Sequence, residues 1–185
     1  SKQLMVLNRM SRLLNTTVKM SIFRCFIQSH FRYCELVWHF CSCGYAKKIE
    51  RVQYRALRFV YNDFESTYEI LLAKSDMTTL YNSRCKHILI EIYKSLHGLN
   101  PIYIQDMFKL KTTKYNLRKT SLVKSHIRTQ THGRNSIRHE GTVLWSCLSN
   151  TAQNAVDLND FKSQLEEVTI DNLLQCKCKL CSYVL

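Results

Sequence analysis

The stretch 47–63, KKIERVQYRALRFVYND, decides how the rest of this chain is read. At about 100° per residue, Lys47, Arg51, Arg55 and Arg58 fall within about 80° of one another on a helix. Ile49, Val52, Ala56, Phe59 and Val60 occupy the opposite side. One face is suited to packing, and the other presents a cationic stripe. Faces that are merely solvated usually mix signs, whereas only Glu50 dilutes this one. The stripe suits contact with phosphate, with Lys47, Lys48, Arg51, Arg55 and Arg58 as candidates. A basic solvated surface is the alternative reading.

Helical patterns extend outward from this stretch. Residues 2–14 read as a helix, and Asn15, Thr16 and Thr17 offer caps for the next one, 18–40. That second helix is apolar on nearly every face, which predicts a place in the middle of a bundle. It carries Lys19, Arg24, Arg32 and Glu35, so it is not read as a membrane span. Downstream, Ser66 or Thr67 can cap a short helix ending near Leu72. Thr78 or Thr79 opens the helix in 80–98, LYNSRCKHILIEIYKSLHG, with Gly98 as its stop. Asn100 and Pro101 then lead into IYIQDMF (102–108), with Pro101 suited to a first helical position. Apolar spacing returns in SIRHEGTVLWSCL (136–148). A last helix spans 155–175, with Leu158, Phe161, Leu165 and Val168 on one side and Asp157 or Asn159 as its cap.

The composition agrees with an all-α fold. The 185 residues include 45% hydrophobic residues, enough for a packed core. Four Gly and one Pro are too few for the turns of a sandwich or barrel. The expected architecture is an irregular helical bundle of about five to six helices, with a partly extended basic arm and a C-terminal helix. Its expected parts are a helical domain (1–108), a basic arm or linker (109–135), a C-terminal helical segment (136–175) and a Cys-rich tail (176–185).

Charge points to the class of partner. There are 27 Lys and Arg against 14 Asp and Glu, a formal charge of +13, which favours a polyanion. The window 107–139 holds no acidic residue. Its cations are Lys109, Lys111, Lys114, Arg118, Lys119, Lys124, Arg128, Arg134 and Arg138. Such a run repels itself until a polyanion neutralises it, although a basic linker has the same composition.

No catalytic constellation stands out. Tyr61-Asn62-Asp63-Phe64 is the nearest approach to a polymerase Tyr-x-Asp-Asp turn, and it lacks the second carboxylate. His30, His39, His87 and His97 lie in apolar helical segments, as core-edge or capping histidines do. The adjacent Glu166 and Glu167 point about 100° apart and read as surface charges. No Ser/His/Asp order and no Gly-rich phosphate loop is present.

The nine cysteines, with no secretory signal in the sequence, are read as reduced thiols of an intracellular protein, nuclear or cytoplasmic. Cys176, Cys178 and Cys181 in CKCKLC are candidate zinc ligands, with Cys41, Cys43 or a His as a fourth. A thiol tail without metal and a redox pair are the other readings.

The order of these landmarks resembles the region downstream of the palm in non-LTR, LINE-type (jockey-like) retrotransposon reverse transcriptases. The segments that carry the resemblance begin with SHFRYCELVW (29–38), KKIERVQYRALRFVYND (47–63) and YEILL (68–72). They continue with YKSLHGLNPIYIQDMF (93–108), YNLRKT (115–120) and GRNSIRHEGTVLWSCLS (133–149). DFKSQL (160–165) and CKCKLC (176–181) complete the set. One departure is Trp145-Ser146-Cys147-Leu148-Ser149, where the family has Trp-Asn-x-Leu-Pro; without the proline a looser corner is expected. The resemblance implies the thumb and C-terminal segment of an RNA-directed DNA polymerase, without the palm and its metal-binding aspartates. It implies partners of RNA, DNA or RNA–DNA hybrid and the missing palm, with no membrane. It also implies sequence-independent grip on template–primer and no polymerase activity for this stretch alone. A non-enzymatic helical interaction module, or a decayed reading frame, is the alternative.

Overall fold

The computed structural model describes residues 5–6, 8–9, 13–111, 122–123, 126, 128–129 and 133–167. The described residues are mostly helical and form no sheet. The chain divides into two compact units, 1–83 and 84–185.

In the first unit, α1 (Thr16–Ile22) begins at Asn15, whose side chain accepts from the Val18 N–H at 2.9 Å. This is one of the caps the sequence offers. The helix runs into a π-helical turn (Phe23–Gln28) and then α2 (Ser29–Arg32). Cys34 breaks the path with φ +49, and α3 (Glu35–Trp38) follows. The single buried helix expected over 18–40 is therefore corrected. Its winding changes at Phe23 and it stops before Cys34. Phe23, Ile27 and Lys19 turn inward, while Phe26, Tyr33 and Val37 are exposed. A stretch apolar on all sides carries no periodicity, so partners elsewhere select the buried face.

Helix α4 (Cys43–Tyr61) is the amphipathic element read from 47–63. Ala56, Leu57 and Val60 are fully buried against Phe23, Ile27, Tyr68, Leu71 and Leu72. The helix stops at Asn62, with φ +53, a conformation that Asn tolerates better than most residues. Helix α5 (Tyr68–Ser75) has Thr67 at its N-cap, with no side-chain cap bond. Ser66 instead joins the preceding turn through Asp63.

Helix α6 (Leu80–Leu96) runs across the residue at which the units divide. Thr79 caps it, accepting from the Asn82 N–H at 3.2 Å. At its other end Gly98 has φ +72, and the Leu99 N–H reaches the Lys94 carbonyl at 2.8 Å. That is the left-handed helix stop the glycine suggests. Asn100 seals the corner, its amide donating to the Glu91 carbonyl and carboxylate and to Ser95 Oγ. Pro101 sits at the N-cap of α7 (Ile102–Gln105), one residue before the first-turn position expected of it. The segment YKSLHGLNP (93–101) is thus largely explained by terminating one helix and starting the next.

The second unit continues with an antiparallel bridge between Leu110 and Leu122, which touches the expected arm at two points. Ser136 then caps α8 (Ile137–Cys147). Gly141 faces Ile92, and a Cβ there would lie 2.7 Å from Ile92 Cδ1. The corner after α8 is not left open by the missing proline. Ser149 caps α9 (Asn150–Gln153) at φ −64, near the value a proline ring would fix. Gln153 Nε2 donates to the Trp145 carbonyl at 2.7 Å across the same corner. Helix α10 (Leu158–Glu167) buries Phe161 and Leu165 as the pattern predicts. Phe161 stacks on Tyr93 at 4.4 Å, and the Tyr93 hydroxyl donates to the Ala155 carbonyl at 3.0 Å. Val168 lies outside the described residues.

Among the described residues, no helix is long and apolar enough to cross a membrane.

Candidate nucleic-acid interface

The cationic side of α4 arises from its own sequence. Burial of Ala56, Leu57 and Val60 fixes the rotation of the helix and turns Lys48, Arg51 and Arg55 outward. Arg51 and Arg55 stand one turn apart, a rise of about 6 Å. Lys48 extends beside them, its ammonium 5.1 Å from the Tyr45 ring centre. Lys47 is only half-buried and is engaged with its surroundings.

Two members of the segment behave differently from their helical spacing. Arg58 folds back onto the loop after α4. Its guanidinium donates to the Phe64 carbonyl and lies 5.3 Å from the Tyr54 ring and 5.1 Å from the Phe64 ring. It acts as a clasp within the unit, while Arg51 and Arg55 project from it. Glu50 does not dilute the stripe either. Its carboxylate accepts from the Tyr68 hydroxyl at 2.6 Å and from the Tyr81 N–H at 2.9 Å. Tyr81 is the second residue of α6, so its N–H has no partner within that helix. A negative charge at this end also suits the helix dipole. Burial first, and then the Glu50 charge, push the Tyr68 phenol far above its ordinary range.

The arm candidates lie in the second unit. Lys109, Lys111, Arg128, Arg134 and Arg138 are exposed. Lys109 pairs with Asp106 at 3.2 Å, an exposed contact of small energetic weight. Lys114, Arg118, Lys119 and Lys124 lie outside the described residues, as do Cys176, Cys178 and Cys181. Cys41 and Cys43 lie half-buried around the start of α4.

The polymerase-turn look-alike has a local role. Asp63 Oδ1 accepts from the N–H groups of Ser66 and Glu65, and Oδ2 accepts from Ser66 Oγ at 2.7 Å. The Ser66 hydroxyl chiefly holds this carboxyl below its usual range. The carboxylate closes a turn, as Asp commonly does after a helix. His39 is buried and stacks on Tyr81 at 5.7 Å, and His97 stacks on Tyr93 at 3.9 Å with Nδ1 2.9 Å from the Tyr93 carbonyl oxygen. His97 occupies the capping place expected of it, whereas His39 is buried.

Exposed cations of this kind are suited to phosphate contact, which carries no sequence information by itself. Compared with family models, curated proteins and solved structures, the chain matches none. Arg24 entered the sequence reading only as a charge against a membrane span and Lys74 not at all, yet both line one cleft of the first unit. The signal for Arg24 is the spacing Thr17, Ser21, Arg24, which sets three polar side chains on one helical face.

Proposed function

We propose that this chain is a nucleic-acid-binding helical segment derived from a retrotransposon reverse transcriptase. It grips the phosphate backbone of a template–primer duplex irrespective of sequence. The supporting observation is the outer face of α4, where Lys48, Arg51 and Arg55 project together while Glu50 turns inward. The motif order in the sequence supplies the link to reverse transcriptases. Exposed Arg128, Arg134 and Arg138 add phosphate-binding capacity in the second unit.

The test is titration of a DNA duplex and an RNA–DNA hybrid at two or more salt concentrations. Each phosphate neutralised contributes about 0.9 to the slope of log affinity against log salt. Arg51→Gln with Arg55→Gln is expected to lower that slope by about two and to leave the unfolding midpoint in place. An unchanged slope in the double variant removes α4 from the interface. Binding no tighter than a polylysine of equal charge removes the thumb reading as a whole.

A helical interaction module is the second reading. Phe26, Tyr33 and Val37, exposed in the first unit, favour it.

A further inference from the structure

The first unit contains an open cleft of about 360 Å³ between α1, the end of α4 and α5. Small-ligand sites begin at about 300 Å³. Thr17, Ser21 and Arg24 line one side, and Tyr61, Lys74 and Asp76 the other. Arg24 comes from the π-helical turn that continues α1 and Lys74 from α5, so two separate elements bring two cations to one recess, where a solvated helix face would use only one element.

Lys74 is held in place by its neighbour. The Tyr61 ring lies 4.8 Å below its ammonium, and the Tyr61 hydroxyl donates to the Lys74 carbonyl at 3.1 Å. Arg24 is carried on the π-helical turn, a winding that often marks functional sites. Phe23 and Ile27 are buried on either side of Arg24 in sequence, while Arg24 itself is exposed to the cleft. The Arg24 charge is felt at the Tyr61 phenol, where it opposes the upward effect of burial. Among the described residues, neither Arg24 nor Lys74 forms an ion pair. Two like charges directed at one recess repel each other, and an anion placed between them relieves that repulsion. Asp76 contributes the one carboxylate of the lining, and the nearby Asp63 carboxylate, whose pKa the Lys74 charge helps to lower, offsets part of Lys74, while the lining itself stays net positive through Arg24.

We propose that this cleft binds a phosphate group between Arg24 and Lys74. The guanidinium supplies a two-pronged donor and the ammonium a point charge. The phosphate is that of a free mononucleotide or the terminal phosphate of a nucleic-acid strand. The site does not depend on the cations of α4.

The test is calorimetric titration of the full chain with AMP, adenosine, inorganic phosphate, and a short oligonucleotide with and without a 5′-phosphate. AMP and inorganic phosphate are expected to bind, and adenosine is not. Arg24→Gln and Lys74→Met should each weaken AMP by about tenfold or more. Arg24→Lys should recover part of the loss. Asp76→Asn should tighten AMP severalfold, because Asn tolerates the φ of +52 at that position while the opposing charge is removed. Arg51→Gln with Arg55→Gln should leave AMP affinity unchanged, which separates this site from the α4 surface. A 5′-phosphate preference in the oligonucleotide assigns the site to strand ends, and tighter AMP assigns it to free nucleotides. AMP affinity equal to that of adenosine, or unchanged in both Arg24→Gln and Lys74→Met, overturns the proposal.

Discussion

Removal of the Glu50 side chain separates two accounts of α4. If Glu50 merely diluted the cationic face, Glu50→Ala would strengthen nucleic-acid binding at no cost in stability. The structure gives its carboxylate two donors, the buried Tyr68 hydroxyl at 2.6 Å and the Tyr81 N–H at 2.9 Å. A hydrogen bond to a charged group is worth about 1.5–3 kcal/mol. Both are lost together, and a partial return of water to a half-buried site offsets some of the cost. The expected loss is about 3 kcal/mol in the first unit. Glu50→Gln retains one acceptor and one donor and should lose less, about 1–2 kcal/mol. Urea unfolding checks this. Trp38 lies in the first unit and Trp145 in the second, and they are the two tryptophans of the chain. In a Trp145→Phe background, Trp38 fluorescence therefore reports the first unit alone. Tyr68→Phe completes a double-mutant cycle with Glu50→Ala, and a coupling above about 1 kcal/mol is expected. Stability within about 0.5 kcal/mol of the parent for Glu50→Ala, with nucleic-acid affinity increased, would refute the reasoning.

Three other outcomes follow from the same structure. Gly98→Ala should cost about 1–2 kcal/mol, because φ +72 places a Cβ against the next carbonyl; urea unfolding followed through Trp145 measures it. Gly141→Val should destabilise the second unit by about 1–3 kcal/mol, since even a Cβ would approach Ile92 Cδ1 to 2.7 Å in a filled core, and a parent-like midpoint would show that Ile92 has room to move. The Asp63 carboxyl is lowered in the fold, chiefly by Ser66, so its contribution is present above the ordinary carboxylate range and is lost as pH falls through the lowered value. Ser66→Ala should therefore differ from the parent in urea midpoint at about pH 7 and converge on it as pH falls through the lowered value of the Asp63 carboxyl.

Local chemistry was legible in the sequence wherever a residue acts on its own backbone. Asn15, Thr79 and Gly98 begin and end helices as their side chains, or the lack of one, require. The two-sided character of 47–63 located the packed face of α4 in part: Ala56 and Val60 are fully buried as the pattern predicts, Ile49, Val52 and Phe59 are half-buried, and Leu57, which the pattern did not assign to that face, is fully buried with them. The α4 candidate site was legible as a charge pattern, and Arg51 and Arg55 project as that pattern requires.

Tertiary structure decided the rest. Arg58 has the same helical spacing as Arg55, yet it is taken into the fold because the loop after α4 brings the Phe64 carbonyl and ring to it. Glu50 is drawn inward by Tyr68 and Tyr81, which come from two other helices. The apolar run 18–40 offered no period from which to choose a buried face, and contact with α4 selected Phe23 and Ile27 while leaving Phe26 and Val37 exposed. Arg24 and Lys74 are 50 residues apart in sequence and line one cleft only after α1 with its π-helical turn, α4 and α5 have packed. Sequence alone determined the interactions a residue makes within about one helical turn, because backbone geometry fixes those distances. Folding determined which distant group would meet each charge, since that depends on where other segments come to rest.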